Sequence, residues 1–454
     1  MMKKSIAVTA LLMLSVLIFL SSCTSPFNSA ENLIAPPGLT GDNALLQTAF
    51  EKAVMDKGEI VLKTPASGKY RSAFCLNDYD SDGDDEAVVF YSLKDDESTV
   101  YMNILDKTDD EWISINDIKG DGGAVESVDF ADLNNDGTCE ILVSYSILDS
   151  KSNKRLSVYS SSSAKEGGFL FLAMEPYTQM YFADIDSDGY TEIALAYLDS
   201  TAEKYTSDLT FLKMDAENGS IYSFANTILY SENTGFAGIA SDVRDGICYL
   251  YIDEIASGSY VTEIVYWDAD EKKLVKPVDV DILTLRNCPT ARTLTATCSD
   301  INGDGYIEIP TAKHLNDSKV TSRYNESLNQ QINLITWYSY IGSENQFEKV
   351  KEYIRNSTDG YTIQLSDSII NSVSAVFDAD THSALFYIIG SNGVKTKLFS
   401  INAVLISDAA GYSDGIYLKS GTVYSYFCSI FDESGQYNIN LETIKSALQI
   451  ADDY

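Results

Sequence analysis

The chain has 454 residues and a formal net charge of −35, from 67 acidic and 32 basic side chains. So acidic a surface repels nucleic acid and excludes it as a partner, while it attracts cations. Dense carboxylates oppose a compact fold unless something neutralises them, so a counter-charge has to be sought in the sequence.

The first residues set the expected compartment. Lys3 and Lys4 precede an apolar run from Ile6 to Leu20. That run is too short for an ordinary membrane span and suits a signal-peptide core. It ends in Leu20-Ser21-Ser22-Cys23, which resembles the lipobox of bacterial lipoproteins. The resemblance implies a signal peptide over 1–22 and a diacylglycerol on Cys23 as first mature residue. The lipid would anchor the chain to the bacterial cell membrane, on its extracytoplasmic side, without spanning it. Loss of Lys3 and Lys4 would take the charge from −35 to −37. Residues 23–41, with Pro36-Pro37, read as a spacer. No later stretch is apolar enough to cross a bilayer.

From Asp42 to about Asp56, the residues Leu45, Leu46, Ala49, Phe50, Ala53 and Val54 form one stripe, and Gly58 follows as a stop. This predicts an N-terminal helix over 42–57. Four related segments come next: NDYDSDGDDEAVVFY from Asn77, ADLNNDGTCEILVSY from Ala131, ADIDSDGYTEIALAY from Ala183 and SDINGDGYIEIPTA from Ser299. Each holds D-x-[D/N]-x-D-G-x-x-E followed by an apolar strand. Their first acids are spaced by 54, 52 and 116 residues, and the last interval is a double one. The missing copy is expected near residue 242, where ASDVRDGICYLYI keeps the frame but is one residue shorter and carries Arg244.

Each unit supplies about four strand-like runs rich in β-branched and aromatic residues. That period predicts an all-β fold, a β-propeller of four-stranded antiparallel blades over 58–440. The count gives seven blades, with six as the alternative. The runs within 357–440 lack an acidic loop and read as a divergent blade region or a small separate domain. GEIVLK from Gly58 is expected to complete the last blade and lock the ring. The polar stretch from Asn316 to Gln331 reads as an inserted loop. Asn440 is expected to cap a C-terminal helix over 441–454 carrying Ile444, Leu448 and Ala451. The short helices would flank the propeller at both ends.

The loop spacing has a chemical reading. Oxygen donors at positions 1, 3 and 5 converge, glycine at 6 permits the sharp turn, the carbonyl at 7 turns inward and an acid at 9 closes the cage. Such an oxygen-only site suits Ca²⁺ above Mg²⁺, at about 10⁻⁴ to 10⁻³ M. The pattern resembles the FG-GAP/VCBS repeat family, which includes the integrin α-subunit propeller and bacterial surface proteins. The resemblance implies four calcium sites. Their side-chain ligands would be Asp78, Asp80, Asp82 and Glu86; Asp132, Asn134, Asp136 and Glu140; Asp184, Asp186, Asp188 and Glu192; and Asp300, Asn302, Asp304 and Glu308. The carbonyls of Asp84, Thr138, Tyr190 and Tyr306 would add to them. Arg244 puts a cation into the unit at Asp242, so no metal is expected there.

Six further cysteines, Cys75, Cys139, Cys248, Cys288, Cys298 and Cys428, form no CxxC pair and read as buried small hydrophobes, with Cys288 and Cys298 the nearest to a disulfide. His314 and His382 are the only histidines and lie near no nucleophile motif. The expectation is therefore a non-catalytic module that binds protein or glycan on a propeller face, for adhesion or scaffolding. The alternative is a propeller-type polysaccharide lyase or hydrolase of the cell envelope.

Overall fold

A computed structural model describes residues 41–450, apart from 109–110, 148–151, 162–167, 202–204, 257, 279–289, 293–294, 316–318, 322–331 and 433–434. The signal segment, Cys23, the spacer, Cys288 and Ala451 lie outside the described residues. Among those described, no helix is long and apolar enough to cross a membrane.

Helix α1 (Asp42–Val54) buries Leu46, Phe50 and Val54, the core of the stripe read from the sequence. The first sheet holds β1 (Ile60–Leu62), β2 (Phe74–Asn77), β3 (Glu86–Leu93), β4 (Asp96–Thr108) and β5 (Glu111–Lys119). Strands β1 and β2 lie end to end along one edge of β3. The second sheet runs β6 (Val125–Ala131), β7 (Glu140–Ser146), β8 (Lys154–Ser160), β9 (Leu170–Tyr177). The third runs β10 (Gln179–Ala183), β11 (Glu192–Asp199), β12 (Thr206–Met214), β13 (Ile221–Ile228). The fourth runs β14 (Gly235–Arg244), β15 (Ile247–Ala256), β16 (Ser259–Asp268), β17 (Lys273–Val275).

Beyond these the chain forms β18 (Glu308–His314), β19 (Lys319–Thr321), β20 (Ile332–Ile341), β21 (Gln346–Asn356), β22 (Tyr361–Ile363) and the single turn α2 (Asp367–Ile370). It continues with β23 (Val373–Asp378), β24 (Ser383–Ile389), β25 (Lys395–Leu405), β26 (Ile416–Ser420), β27 (Tyr424–Ile430), α3 (Leu441–Ala447) and β28 (Leu448–Ile450). The fifth sheet has the order β18-β20-β21-β22-β28 and the sixth β19-β23-β24-β25-β27-β26.

Successive sheets pack face to face in chain order, the blade architecture of a β-propeller. The strands after the first three acidic loops, β3, β7 and β11, are buried on both sides because they lie inside their sheets and between layers, whereas β18 is an edge strand buried only over its first three residues. In β3, Val88 and Phe90 pack on the second blade, while Ala87, Val89 and Tyr91 face α1. This is the two-residue alternation of a strand used on both faces. Further apolar clusters join second to third, third to fourth, fourth to fifth and fifth to sixth blades.

Three expectations need correction. Among the described residues six blades form, the alternative count and not the favoured seven, because residues 361–430 supply only β22 of the fifth blade and one further sheet. The strand after Gly58 joins the first blade, not the last. Docking of α1 on Ala87, Val89 and Tyr91 holds the chain leaving the helix against β3. Among the described residues no apolar cluster combines the sixth blade with the first. Finally, the C-terminal helix stops at Ala447, and Leu448 continues as β28 on the free edge of β22. Asn440 does cap it, accepting the Thr443 N–H. Ile439, Ile444 and Leu448 share one core with the fifth and sixth blades. The insertion after His314 sends β19 in parallel onto β23 of the sixth blade.

The fourth blade also buries a carboxyl pair. Glu254 and Glu263 lie on one face of β15 and β16, and Lys276 Nζ is 3.1 Å from Glu263 Oε1. Burial, and then the Glu263 charge, holds Glu254 well above the usual carboxylate range. A raised native pKa favours folding below the pKa of the unfolded chain. That contribution is lost as pH rises through the native value. Melting temperature is therefore expected to fall as pH rises above the range of an unfolded glutamate, about 4.3, and Glu254→Gln should flatten the decline. Thermal melts at rising pH check it, and an unchanged slope in the variant would refute the assignment.

Candidate metal centres

The first three acidic loops join β2 to β3, β6 to β7 and β10 to β11, the fourth leads into β18 with Ser299 bridged to Glu308, and all four have one geometry. The position-1 carboxylates of Asp78, Asp132, Asp184 and Asp300 accept the N–H of Asp82, Asp136, Asp188 and Asp304 at 3.0–3.2 Å. The position-5 carboxylates in turn accept the N–H of Asp84, Thr138, Tyr190 and Tyr306 at 2.9–3.1 Å. Gly83, Gly137, Gly189 and Gly305 sit at φ of 101°, 90°, 92° and 87°. A side chain there would be strained, which explains the fixed glycine at position 6.

Each closing glutamate points back into its loop. Glu86, Glu140, Glu192 and Glu308 accept the N–H of Tyr79, Leu133, Ile185 and Ile301 through Oε2 at 2.9–3.0 Å. All four are at most 1 % exposed. Oxygens of Asp78, Asp80 and Glu86 lie within 4.8 Å of one another, as do those of Asp184, Asp186 and Glu192. In the second and fourth loops, position 3 is Asn134 or Asn302. Each amide donates to the position-5 carboxylate, Asp136 or Asp304, at 2.9 and 2.8 Å.

The remaining glutamate oxygens distinguish the loops. Oε1 of Glu86 and of Glu308 is buried with no hydrogen-bond partner. Glu140 Oε1 accepts from Ser160 Oγ at 2.8 Å. Glu192 Oε1 lies 2.9 Å from Lys213 Nζ. Burial pushes Glu86 up to about 8 and Glu192 up to about 7, and raises Glu140 and Glu308 as well. A buried carboxylate left bare is costly, so each calls for a proton or a cation. The donors are all oxygens, which fits a hard divalent ion.

The residue opposite each closing glutamate was not identifiable from spacing. Ladder register places it one residue beyond Leu105, Tyr159 and Leu212, the partners of Ala87, Ile141 and Ile193, and pairs Glu308 with Ser339 directly. It is therefore Asp106, Ser160, Lys213 and Ser339 in turn. Asp106 adds negative charge to the first loop, raising both Glu86 and Asp80 beyond the effect of burial. Lys213 Nζ lies 2.8 Å from Asp186 Oδ2 and 2.7 Å from Asp188 Oδ2. Burial still raises Asp186, whereas the ammonium outweighs burial at Asp188 and holds it low.

The unit at Asp242 is a tight hairpin. Strand β14 runs to Arg244, and Asp245-Gly246, at φ of 51° and 79°, make a two-residue turn. Asp242 Oδ2 accepts from Arg244 Nε and Nη2 at 2.9 and 2.7 Å and from Ile307 N at 2.7 Å. Arg244 Nη1 donates to Ser339 Oγ at 2.7 Å. The degenerate loop thus braces the loop of the next blade.

Sequence reasoning also missed a relay between loops. The position-4 residues Ser81, Asn135 and Ser187 have φ of 55–62°. Their side chains donate to the carbonyls of Gly137, Gly189 and Gly246 in the following blade at 2.9, 2.7 and 2.9 Å. The fourth loop has Gly303 at this position and no such donor. A polar residue at position 4 wherever a position-6 glycine follows in the next blade was the available signal.

The other candidates stand apart. His382 Nδ1 lies 2.6 Å from buried Asp359 Oδ1, between the fifth and sixth blades. Cys75, Cys248, Cys298 and Cys428 are buried and Cys139 partly so. A cleft of about 340 Å³ opens beside the third loop, lined by Asp186, Ser187, Tyr266, Trp267, Asp268 and Asp270 among others.

Fold and site together define a propeller whose blades carry repeated acidic, oxygen-only loops. No protein-family model matches the chain, and no curated protein matches it. Among solved structures, the chain is similar to Saccharomyces cerevisiae Sqt1 at 9 % identity, covering 75 % of this chain and 92 % of that one, with a TM-score of 0.30. It is similar to the exotype rhamnogalacturonan lyase YesX at 13 % identity, covering 75 % and 70 %, with a TM-score of 0.30. A protein from Lactobacillus plantarum aligns at 10 % identity over 73 % and 85 %, with a TM-score of 0.27. At such scores these likenesses bear on neither activity nor ligand.

Proposed function

We propose that this chain is a non-catalytic, calcium-stabilised binding module, tethered outside a bacterial cell by lipid on Cys23, with blades of the FG-GAP/VCBS type. The observation that carries the calcium reading is the buried Oε1 of Glu86 and of Glu308, each without a partner, with Asp78 and Asp80 converging on Glu86. A divalent ion satisfies such an oxygen and offsets part of the −35 charge. The ligand is a protein or glycan held on a propeller face. The cleft at Tyr266 and Trp267 suits it, with aromatic surface beside carboxylates.

An ion that binds only the folded chain stabilises it by mass action. At free calcium about 100 times the dissociation constant, each independent site contributes about 2.7 kcal/mol. Melting in calcium against chelator is therefore expected to separate by ten degrees or more (~10 °C). Superimposed melting curves would remove the calcium reading. Product release from envelope polysaccharides by the chain would instead establish an enzyme.

A further inference from the structure

We propose that the third loop carries its own cation: Lys213 Nζ holds the place that a divalent ion takes in the first, second and fourth loops. This rests on the calcium reading of those loops. The ammonium lies 2.8, 2.7 and 2.9 Å from oxygens of Asp186, Asp188 and Glu192, which are positions 3, 5 and 9 of the ligand set. Its side chain is 9 % exposed. The Phe224 ring, centred 5.0 Å from Nζ and packed on Trp267, forms an apolar shoulder that keeps the stem in place.

The comparison among blades makes the lysine informative. The same register position is Asp106, Ser160 and Ser339 in the other three units, so only the third has a cationic side chain directly opposite its closing glutamate; Glu308 feels Arg244 of the preceding blade, which is tied to Asp242 and Ser339 instead of entering the ligand set. A calcium ion bound at 2.3–2.6 Å from those same oxygens would lie within about 5.5 Å of the ammonium. Three of the loop's four carboxylates would then be shared between the two cations. Loading the loop therefore requires Lys213 to leave, and the loop stays free of metal at calcium concentrations that fill the others. The third blade, like the fourth, is thus held without calcium, between the second and fifth blades whose loops need it.

Equilibrium dialysis with radioactive calcium tests this on the full chain and on Lys213→Ser, the residue found in the second and fifth blades. The expected result is three ions bound by the native sequence and four by the variant. Equal and non-zero counts in the two proteins would overturn the inference and leave the calcium reading intact. No calcium in either would overturn both. Because Lys213→Ser could fail to fold, two further variants keep the test decisive. Asp184→Asn should leave the native count unchanged, whereas Asp78→Asn should lower it by one. Loss of one ion in Asp184→Asn would show the third loop occupied, and the inference would fall.

Discussion

Glu86→Ala is expected to cost about 3–5 kcal/mol in saturating calcium and only about 1–3 kcal/mol in chelator. The two conditions differ because the carboxylate has two tasks. Oε2 accepts the Tyr79 N–H at 3.0 Å, and that buried donor loses its partner in either condition. Oε1 is buried and otherwise unpartnered, so its service to an ion is lost only where the ion is present. In chelator the native carboxyl is itself a liability, pushed up to about 8 by burial and by Asp80, Asp82 and Asp106. Removing it then relieves part of what it costs. Glu86→Gln separates the two tasks. The amide oxygen keeps an acceptor for Tyr79 without the charge. This variant should melt near the native protein in chelator and well below it in calcium. Denaturant titrations of the three proteins in both conditions measure all six stabilities. Equal losses for Glu86→Ala in calcium and in chelator would show the glutamate to be a purely structural acceptor.

The acidic loops were legible because everything that makes them lies within nine residues. Asp78 through Glu86 encode donors, turn and closing acid in one local run, and the three other copies follow with the same phase. What stands opposite each glutamate was not legible. Lys213 meets Asp188 across 25 residues, and only the register of β11 on β12 brings them together. Blade count fell on the alternative, six, for a related reason. The last region lacks the acidic loop, so its strands carried no phase marker, and Tyr361–Ile363 was free to close the fifth blade instead of opening another. Ile60–Leu62 reads the same as an inner strand of any blade. Its place was decided by where α1 docks, a long-range packing choice that local pattern does not express. Leu448 fits the helical stripe begun at Ile444, yet an unpaired edge at β22 gave its backbone a better partner.

The largest effect outside the loops is expected at a buried ion pair that no motif announced. Arg292 Nη2 lies 2.6 Å from Asp253 Oδ1, 39 residues away, with side-chain exposures of 0 % and 2 %. The guanidinium also donates to Thr262 Oγ1 at 2.7 Å, Ala296 O at 2.9 Å and Thr290 O at 3.1 Å. The other Asp253 oxygen accepts the Cys298 N–H at 2.6 Å. This network ties Arg292 and Ala296–Cys298, which lie outside the named strands, to β15 and β16 of the fourth blade. That stretch leads directly into the fourth acidic loop at Asp300. Removing either partner leaves the other as a bare buried charge, so Asp253→Ala and Arg292→Ala are each expected to lose about 3–5 kcal/mol. The double variant buries no uncompensated charge. It should therefore be about as stable as either single one, and the coupling should approach the full single-site loss. Urea titrations of the four proteins close the cycle. Additive losses, or single losses below about 1 kcal/mol, would mean that solvent already reaches the pair and that the segment is held by its apolar contacts alone.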